Sequence, residues 1–290
     1  MRKVSIAALQ MVSTPSVEEN LDSASRLIAE AAQQGAQLAL LPEVFATLEG
    51  LSPLAEVAEL DRGLWPDSPA PLQDFLSAQA AKHGLVLVGG TIPLLSRPDG
   101  SRLDDGRVRA STLVFDARGE RLARYDKIHL FDVTVDDAQS QYSESRSYEA
   151  GTALSCVDVG ACRVGLSICY DLRFAELYAA LCAQGAEIIT VPAAFTARTG
   201  AAHWETLLRA RAIENQCFVL AAGQGGRHSE TRETWGHSMI VSPWGDVVAC
   251  HERGEGVAIA EIDLDEIDAV RARMPIASHR RLAIEAPRDG

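Results

Sequence analysis

The sequence predicts an α/β fold whose two halves are related by an internal pseudo-two-fold repeat. Short apolar runs alternate with amphipathic helical segments, as expected of strands buried on both faces. The stretch from Gln34 to Phe45 matches the stretch from Gln184 to Phe195 without a gap, at an offset of 150 positions. No linker rich in Pro, Ser or Gly separates the copies, so the 290 residues read as one domain.

The elements follow in order. Residues 4–9 form a first strand: the apolar run is too short for a secretory core and lacks a small-residue cleavage site. A helix is expected over residues 17–33, stopped by Gly35-Ala36, and a second strand then ends at Pro42. Residues 85–90 form a third strand, and a hairpin turns at Ala117-Arg118-Gly119. The second copy repeats this plan, with a strand over 164–168, a helix over 172–183, a strand ending at Pro192, a strand over 218–223 and a hairpin at Pro243-Trp244-Gly245. Residues 132–149 are polar and aperiodic and read as a long loop, a kind of segment that often carries function. Residues 271–290 read as an exposed C-terminal tail able to dock on a partner subunit.

Composition narrows the function classes. The chain is 47% hydrophobic but only 6% aromatic, which gives an ample core rich in closely packed Ala. A net charge of -13 with no Lys/Arg block argues against nucleic acid and anionic membranes as partners, so an anionic small molecule would need a local basic pocket. No run approaches the ~18 apolar residues of a membrane span. The six cysteines contain no Cys-x-x-Cys pair, a pattern of reducing compartments that reads as cytoplasmic. Cysteines and histidines also lack the paired spacing of a zinc site.

The chemistry-bearing positions fall where the two copies differ. Copy one has Glu43 at the end of its second strand, where copy two has Ala193. Copy two ends its first strand at Cys169, beside approximately Leu9 of copy one. A thiol at a strand-to-helix junction faces unpaired N–H groups and the positive end of a helix, both of which favour the thiolate. Lys127 lies among Ile128, Leu130 and Phe131, which would hold its charge against the core. Taken singly, each has an ordinary reading: a loop Glu, a surface Lys, a buried structural Cys.

Together they carry a resemblance. Leu41-Pro42-Glu43, Tyr125-Asp126-Lys127-Ile128-His129-Leu130 and Cys169-Tyr170-Asp171-Leu172-Arg173-Phe174 resemble, in order, the Glu-Lys-Cys motifs of the nitrilase (carbon–nitrogen hydrolase) superfamily. The resemblance spans essentially the whole chain and implies a four-layer α-β-β-α sandwich, commonly paired into homodimers or higher homo-oligomers. It implies Glu43 as general base and acid, Lys127 as oxyanion stabiliser, Cys169 as nucleophile and the Tyr170 backbone N–H as an oxyanion donor. Glu144 matches a second carboxylate that positions the others. No metal or organic cofactor is implied.

Residues 202–215 resemble the amidase subgroup that contains deaminated glutathione amidases and ω-amidases. That implies hydrolysis of the primary amide of a 2-oxo acid to carboxylate and ammonia through a thioester, with the first substrate preferred and the ω-amide as the alternative. Arg173 is the candidate anchor for the substrate carboxylate, its other reading being a helix-surface Arg paired with an acid. Phe195 and Thr196 are expected to line the pocket, and Arg227 and His228 to grip a longer substrate tail. Arg-x-x-Glu-Asn at residues 211–215 reads as a helical ion pair. A catalytically silent scaffold is the non-enzyme alternative.

Overall fold

A computed structural model describes residues 2–48, 54–137 and 140–282. In chain order the elements are β1 (Lys3–Gln10), α1 (Val17–Gln33), β2 (Leu38–Leu40), α2 (Leu54–Val57), α3 (Pro71–His83), β3 (Val86–Val88), β4 (Ile92–Leu94), β5 (Arg109–Phe115), β6 (Arg121–Asp126) and β7 (Asp132–Thr134). There follow β8 (Gln141–Ser143), β9 (Cys156–Val159), β10 (Cys162–Leu166), α4 (Ala175–Ala183), β11 (Ile188–Ala193), α5 (Ala197–Asn215), β12 (Phe218–Gly223), β13 (Ser238–Val241), β14 (Val247–His251), β15 (Gly256–Asp263), α6 (Asp265–Arg273) and α7 (Ile276–His279).

Two sheets carry the repeat. One runs β15-β1-β2-β3-β5-β4, with β6 beside β5; the other runs β9-β10-β11-β12-β13-β14. In both, two parallel pairings at the centre (β1-β2-β3 and β10-β11-β12) are flanked by an antiparallel strand and an antiparallel hairpin. Even the irregularities correspond, with register shifts at Val114/Phe115 and Ile240/Val241. The predicted duplication is therefore topological as well as sequential, and β4 is an addition to the first copy.

Strand alternation makes the layers. Ile6 and Ala8 of β1 belong to a core shared with Val164, Ile189, Val191 and Val219 of the other sheet. Ala7 and Leu9 point the opposite way, into a second core with Leu27 and Ile28 of α1 and Leu76 of α3. The outer face of the second sheet is covered by α4 and α5. At Gly165 an added Cβ would lie 3.2 Å from that of Leu181, so glycine permits α4 to seat closely. Helix, sheet, sheet and helix give the four-layer sandwich.

Helix α1 occupies the expected residues because Ser16 caps it, accepting the Glu19 N–H at 3.3 Å, while Glu18 and Glu19 complement the helix dipole. Two expectations need correction. The strand over 164–168 ends at Leu166 and the helix over 172–183 begins only at Ala175; a 3₁₀ turn, Cys169–Arg173, fills the gap. Residues 132–149 are not a plain loop, since β7 and β8 pair antiparallel there. The described part of the expected tail, residues 271–282, is largely exposed as expected and partly helical, and it touches the end of α5, where Gln216 donates to the Met274 carbonyl at 2.6 Å and Arg280 to Asn215 Oδ1 at 3.3 Å. Residues 283–290 lie outside the described residues. No helix among the described residues is long and apolar enough to cross a membrane.

Candidate active site

Four segments deliver four polar side chains to one place. Glu43 stands in the turn after β2, Lys127 directly after β6, Glu144 at the start of a 3₁₀ turn (Glu144–Arg146) after β8, and Cys169 in the turn after β10. Turns at these strand ends are shaped by unusual backbone. Val44 has φ 51° and Cys169 φ 47°, both left-handed values that a non-glycine residue holds only when its surroundings enforce them. For Val44 the enforcing contact is its N–H, donated to Thr91 Oγ1 at 2.8 Å. At Gly90, with φ 53°, an added Cβ would fall 2.1 Å from the Pro42 carbonyl oxygen, so only glycine lets this loop pack under Glu43.

Lys127 is the hub. Its Nζ donates to Glu43 Oε1 at 2.8 Å and to both Glu144 oxygens at 2.8 and 2.9 Å. The second oxygen of Glu43 accepts the Ala194 N–H at 2.9 Å, and Glu144 Oε2 accepts the Phe131 N–H at 2.6 Å. All four side chains are largely removed from water, Lys127 to 2% exposure. Burial opposes the ammonium charge, but the Glu144 and Glu43 carboxylates outweigh it and hold the Lys127 pKa well above the ordinary range. Burial pushes the Glu144 carboxyl upward against the pull of Lys127.

Cys169 departs from expectation. Burial, then the adjacent Glu43 charge, push its pKa well above that of an ordinary thiol, and Lys127 offsets only part of this. The expected thiolate-favouring helix end is absent, because α4 starts six positions later. The resting group is a neutral thiol beside a carboxylate able to take its proton.

Asp171, for which the sequence reading named no role, builds the turn. Fully buried, it accepts the Ile168 N–H at 2.9 Å, the Tyr125 hydroxyl at 2.7 Å and the His129 N–H at 3.1 Å, and it meets His129 Nδ1 at 2.7 Å. The His129 ring stacks on Phe174, with centroids 3.6 Å apart. One carboxylate thus ties the backbone just before Cys169 to the segment that carries Lys127. Its position inside the cysteine motif was visible in the sequence; its partners Tyr125 and His129, 46 and 42 residues away, were not.

The four groups open into a cavity of about 270 Å³ that Tyr170, Arg173, Phe195 and Thr196 also line. The Arg173 guanidinium lies 5.3 Å from the Phe195 ring centroid and 5.8 Å from that of Tyr170, with Nη1 3.3 Å from His203 Nδ1. Thr196 also caps α5, its hydroxyl accepting the Thr199 N–H at 3.1 Å. Arg211 pairs with Glu214 at 2.8 Å as a helix pair, and its Nε donates to the Leu172 carbonyl at 3.0 Å.

Arg227 and His228 do not join this group. Arg227 donates to the Ser229 and Glu230 carbonyls, while the two ring nitrogens of His228 lie 2.8 Å from the Ser13 carbonyl and 2.7 Å from Thr234 Oγ1. The chain doubles back here, with Arg227 bridged to Glu233, so Arg232 reaches the cavity instead. Its guanidinium lies 5.1 Å from the Tyr142 ring centroid. Tyr142, Tyr148 and Arg232 are lining residues that sequence reasoning missed.

A buried cluster of thiol, ammonium and two carboxylates on an α-β-β-α sandwich defines a class, the hydrolases of carbon–nitrogen bonds. The family model described as carbon-nitrogen hydrolase matches residues 5–272. The chain belongs to that family and is a hydrolase of amide carbon–nitrogen bonds. It is 40% identical to a deaminated glutathione amidase of Yersinia enterocolitica, covering 97% of this chain and 94% of that protein. It is 38% identical to the omega-amidase NIT2-A of Xenopus laevis, covering 97% and 96%. The crystal structure of the C. elegans NitFhit protein superposes with a TM-score of 0.82 at 38% identity, covering 96% of this chain and 65% of that longer one.

Proposed function

We propose that the enzyme hydrolyses 2-oxoglutaryl amides through a thioester on Cys169, with deaminated glutathione as the preferred substrate. The observation that carries the mechanism is the Lys127 ammonium held between two carboxylates, 2.8 Å from each, in the cavity that Cys169 shares. As the thiol attacks the amide carbon, its proton passes to Glu43. The oxyanion that forms meets Lys127, still protonated because Glu144 holds it, and the Tyr170 backbone N–H. Each well-aimed donor of this kind is worth roughly 3–4 kcal/mol. Glu43 then gives the proton to the departing nitrogen, and afterwards removes a proton from the water that cleaves the thioester.

Deaminated glutathione joins its 2-oxoglutaryl unit to cysteinylglycine, so its amide is secondary and its leaving group an amine, in place of the primary amide and ammonia that the resemblance implied; 2-oxoglutaramate is the primary amide and releases ammonia. Both leave the same acyl group on Cys169. Arg173, set between two aromatic rings at the cavity, is the anchor we assign to the 2-oxo acid carboxylate. The identity of 40% to a deaminated glutathione amidase supports the first substrate. The 38% identity to an omega-amidase supports the second reading, a small ω-amide substrate.

We place the enzyme in the cytoplasm, in keeping with six free cysteines, and as a homo-oligomer, in keeping with the exposed Ile213, Trp244, Val247, Val248 and Met274 around the edge strand β14. Residues 271–290 are the segment we assign to the subunit contact. The direct test of the mechanism is mass spectrometry of enzyme quenched during turnover of deaminated glutathione. A 2-oxoglutaryl adduct on Cys169, absent in inactive Cys169→Ala, is expected. Turnover surviving in Cys169→Ala would sink the reading.

A further inference from the structure

A second cavity, of about 400 Å³, adjoins the first, and the two share Tyr142 and Arg232. We infer that this cavity receives the leaving-group half of the substrate, a peptidyl amine ending in a free carboxylate. The inference rests on the function proposed above and adds a subsite to it. An amide whose carbonyl carbon sits at Cys169 has its acyl chain on one side and its nitrogen substituent on the other. A cavity reached past the Tyr142–Arg232 pair offers room for that substituent, which ammonia does not need.

The lining suits a carboxylate. Arg198 reaches into it from the first turn of α5, a 19-residue helix with no acidic residue in that turn, so side chain and helix dipole act with the same sign. Its ion pair is with Asp136 at 3.9 Å, both side chains mostly in water, an interaction that a bound anion readily replaces. Arg227, by contrast, is committed to two backbone carbonyls and shapes the wall. Arg232, laid on the Tyr142 ring at the junction, sits where the peptide link between the two halves would pass. The cavity also contains acids. Asp137 accepts the Tyr142 hydroxyl at 2.9 Å, and Glu230 and Glu233 stand on the exposed rim. A product with one ammonium and one carboxylate finds both signs there.

The experiment compares kcat/KM for three probes: deaminated glutathione, the same compound with its terminal carboxylate converted to a carboxamide, and 2-oxoglutaramate. Wild type is expected to prefer the free carboxylate over the carboxamide by about tenfold or more, the worth of one charge-assisted hydrogen bond. In Arg198→Ala that preference falls toward one, and Arg198→Lys keeps part of it. Equal wild-type rates on carboxylate and carboxamide, with 2-oxoglutaramate still hydrolysed, overturn the subsite and leave the proposed acyl chemistry standing. Turnover of none of the three probes overturns both.

Discussion

Glu43→Gln should separate the reactivity of the thiol from catalysis. Glu43 uses one oxygen for Lys127 at 2.8 Å and the other for the Ala194 N–H at 2.9 Å. A glutamine has one acceptor oxygen, so one of these bonds is lost, at about 1.5–3 kcal/mol for a bond to a charged group. The melting temperature should fall by a few degrees. The loss in turnover is larger, because the proposed mechanism then lacks its base: about 10²–10⁴-fold in kcat. The thiol responds in the opposite direction. The Glu43 charge is, after burial, the largest influence raising the Cys169 pKa, and Lys127 opposes it. Removing that charge leaves the ammonium and lowers the pKa, so iodoacetamide should alkylate Cys169 faster at neutral pH than in wild type. The assay pairs steady-state ammonia or amine release with alkylation rates measured across pH 6 to 10. Slower alkylation in the variant, with its pH midpoint moved upward, would refute the placement of the Cys169 thiol against Glu43.

Asp171→Asn replaces a buried acceptor of three donors by a group with one acceptor oxygen. A destabilisation of about 2–4 kcal/mol is expected, read from urea unfolding, and a change within 0.5 kcal/mol would mean the network does not hold the turn. Buried thiols predict alkaline sensitivity. Cys162, pushed by burial to about 11, and Cys169, held well above its usual value, keep their protons in the folded state while the unfolded chain loses them above about pH 9. Between about pH 9 and 11 the folded state then binds more protons, so stability falls as pH rises, by about 2 kcal/mol for the two thiols from pH 9 to pH 10. Unfolding free energies at pH 8, 9 and 10 check this, and a flat profile would contradict it. Arg173→Ala should raise KM for 2-oxoglutaryl amides by about 10- to 100-fold with a smaller change in kcat, whereas an unaltered KM assigns the anchor elsewhere.

What could be read from the sequence was what is local or repeated. The span of α1 was legible because an amphipathic apolar stripe runs up to a Gly-Ala stop, whereas the Ser16 cap that starts it came from the structure. Duplication was legible because the copies kept a strand-turn pattern in register, and the departures at Glu43 and Cys169 marked where the copies came to differ. The order of Glu43, Lys127 and Cys169 and the family they belong to were also legible from short motifs.

Tertiary structure decided the rest, because electrostatics depends on neighbours and burial rather than on sequence spacing. The sequence offered Cys169 as a thiolate at a helix end. Folding surrounds it with Glu43 and an apolar wall and ends the turn before any α-helix begins, so the thiol stays protonated. Lys127 meets Glu43 across 84 positions, a partnership no local pattern encodes. Asp171 became the brace of the turn only once Tyr125 and His129 arrived from another strand end. The chain reversal between Arg227 and Glu233 sent Arg232, rather than Arg227 or His228, toward the cavity that Cys169 lines. A motif can name the reacting groups, but which of them holds the proton, and what lies beyond the amide nitrogen, are set by the packing of segments far apart in the chain.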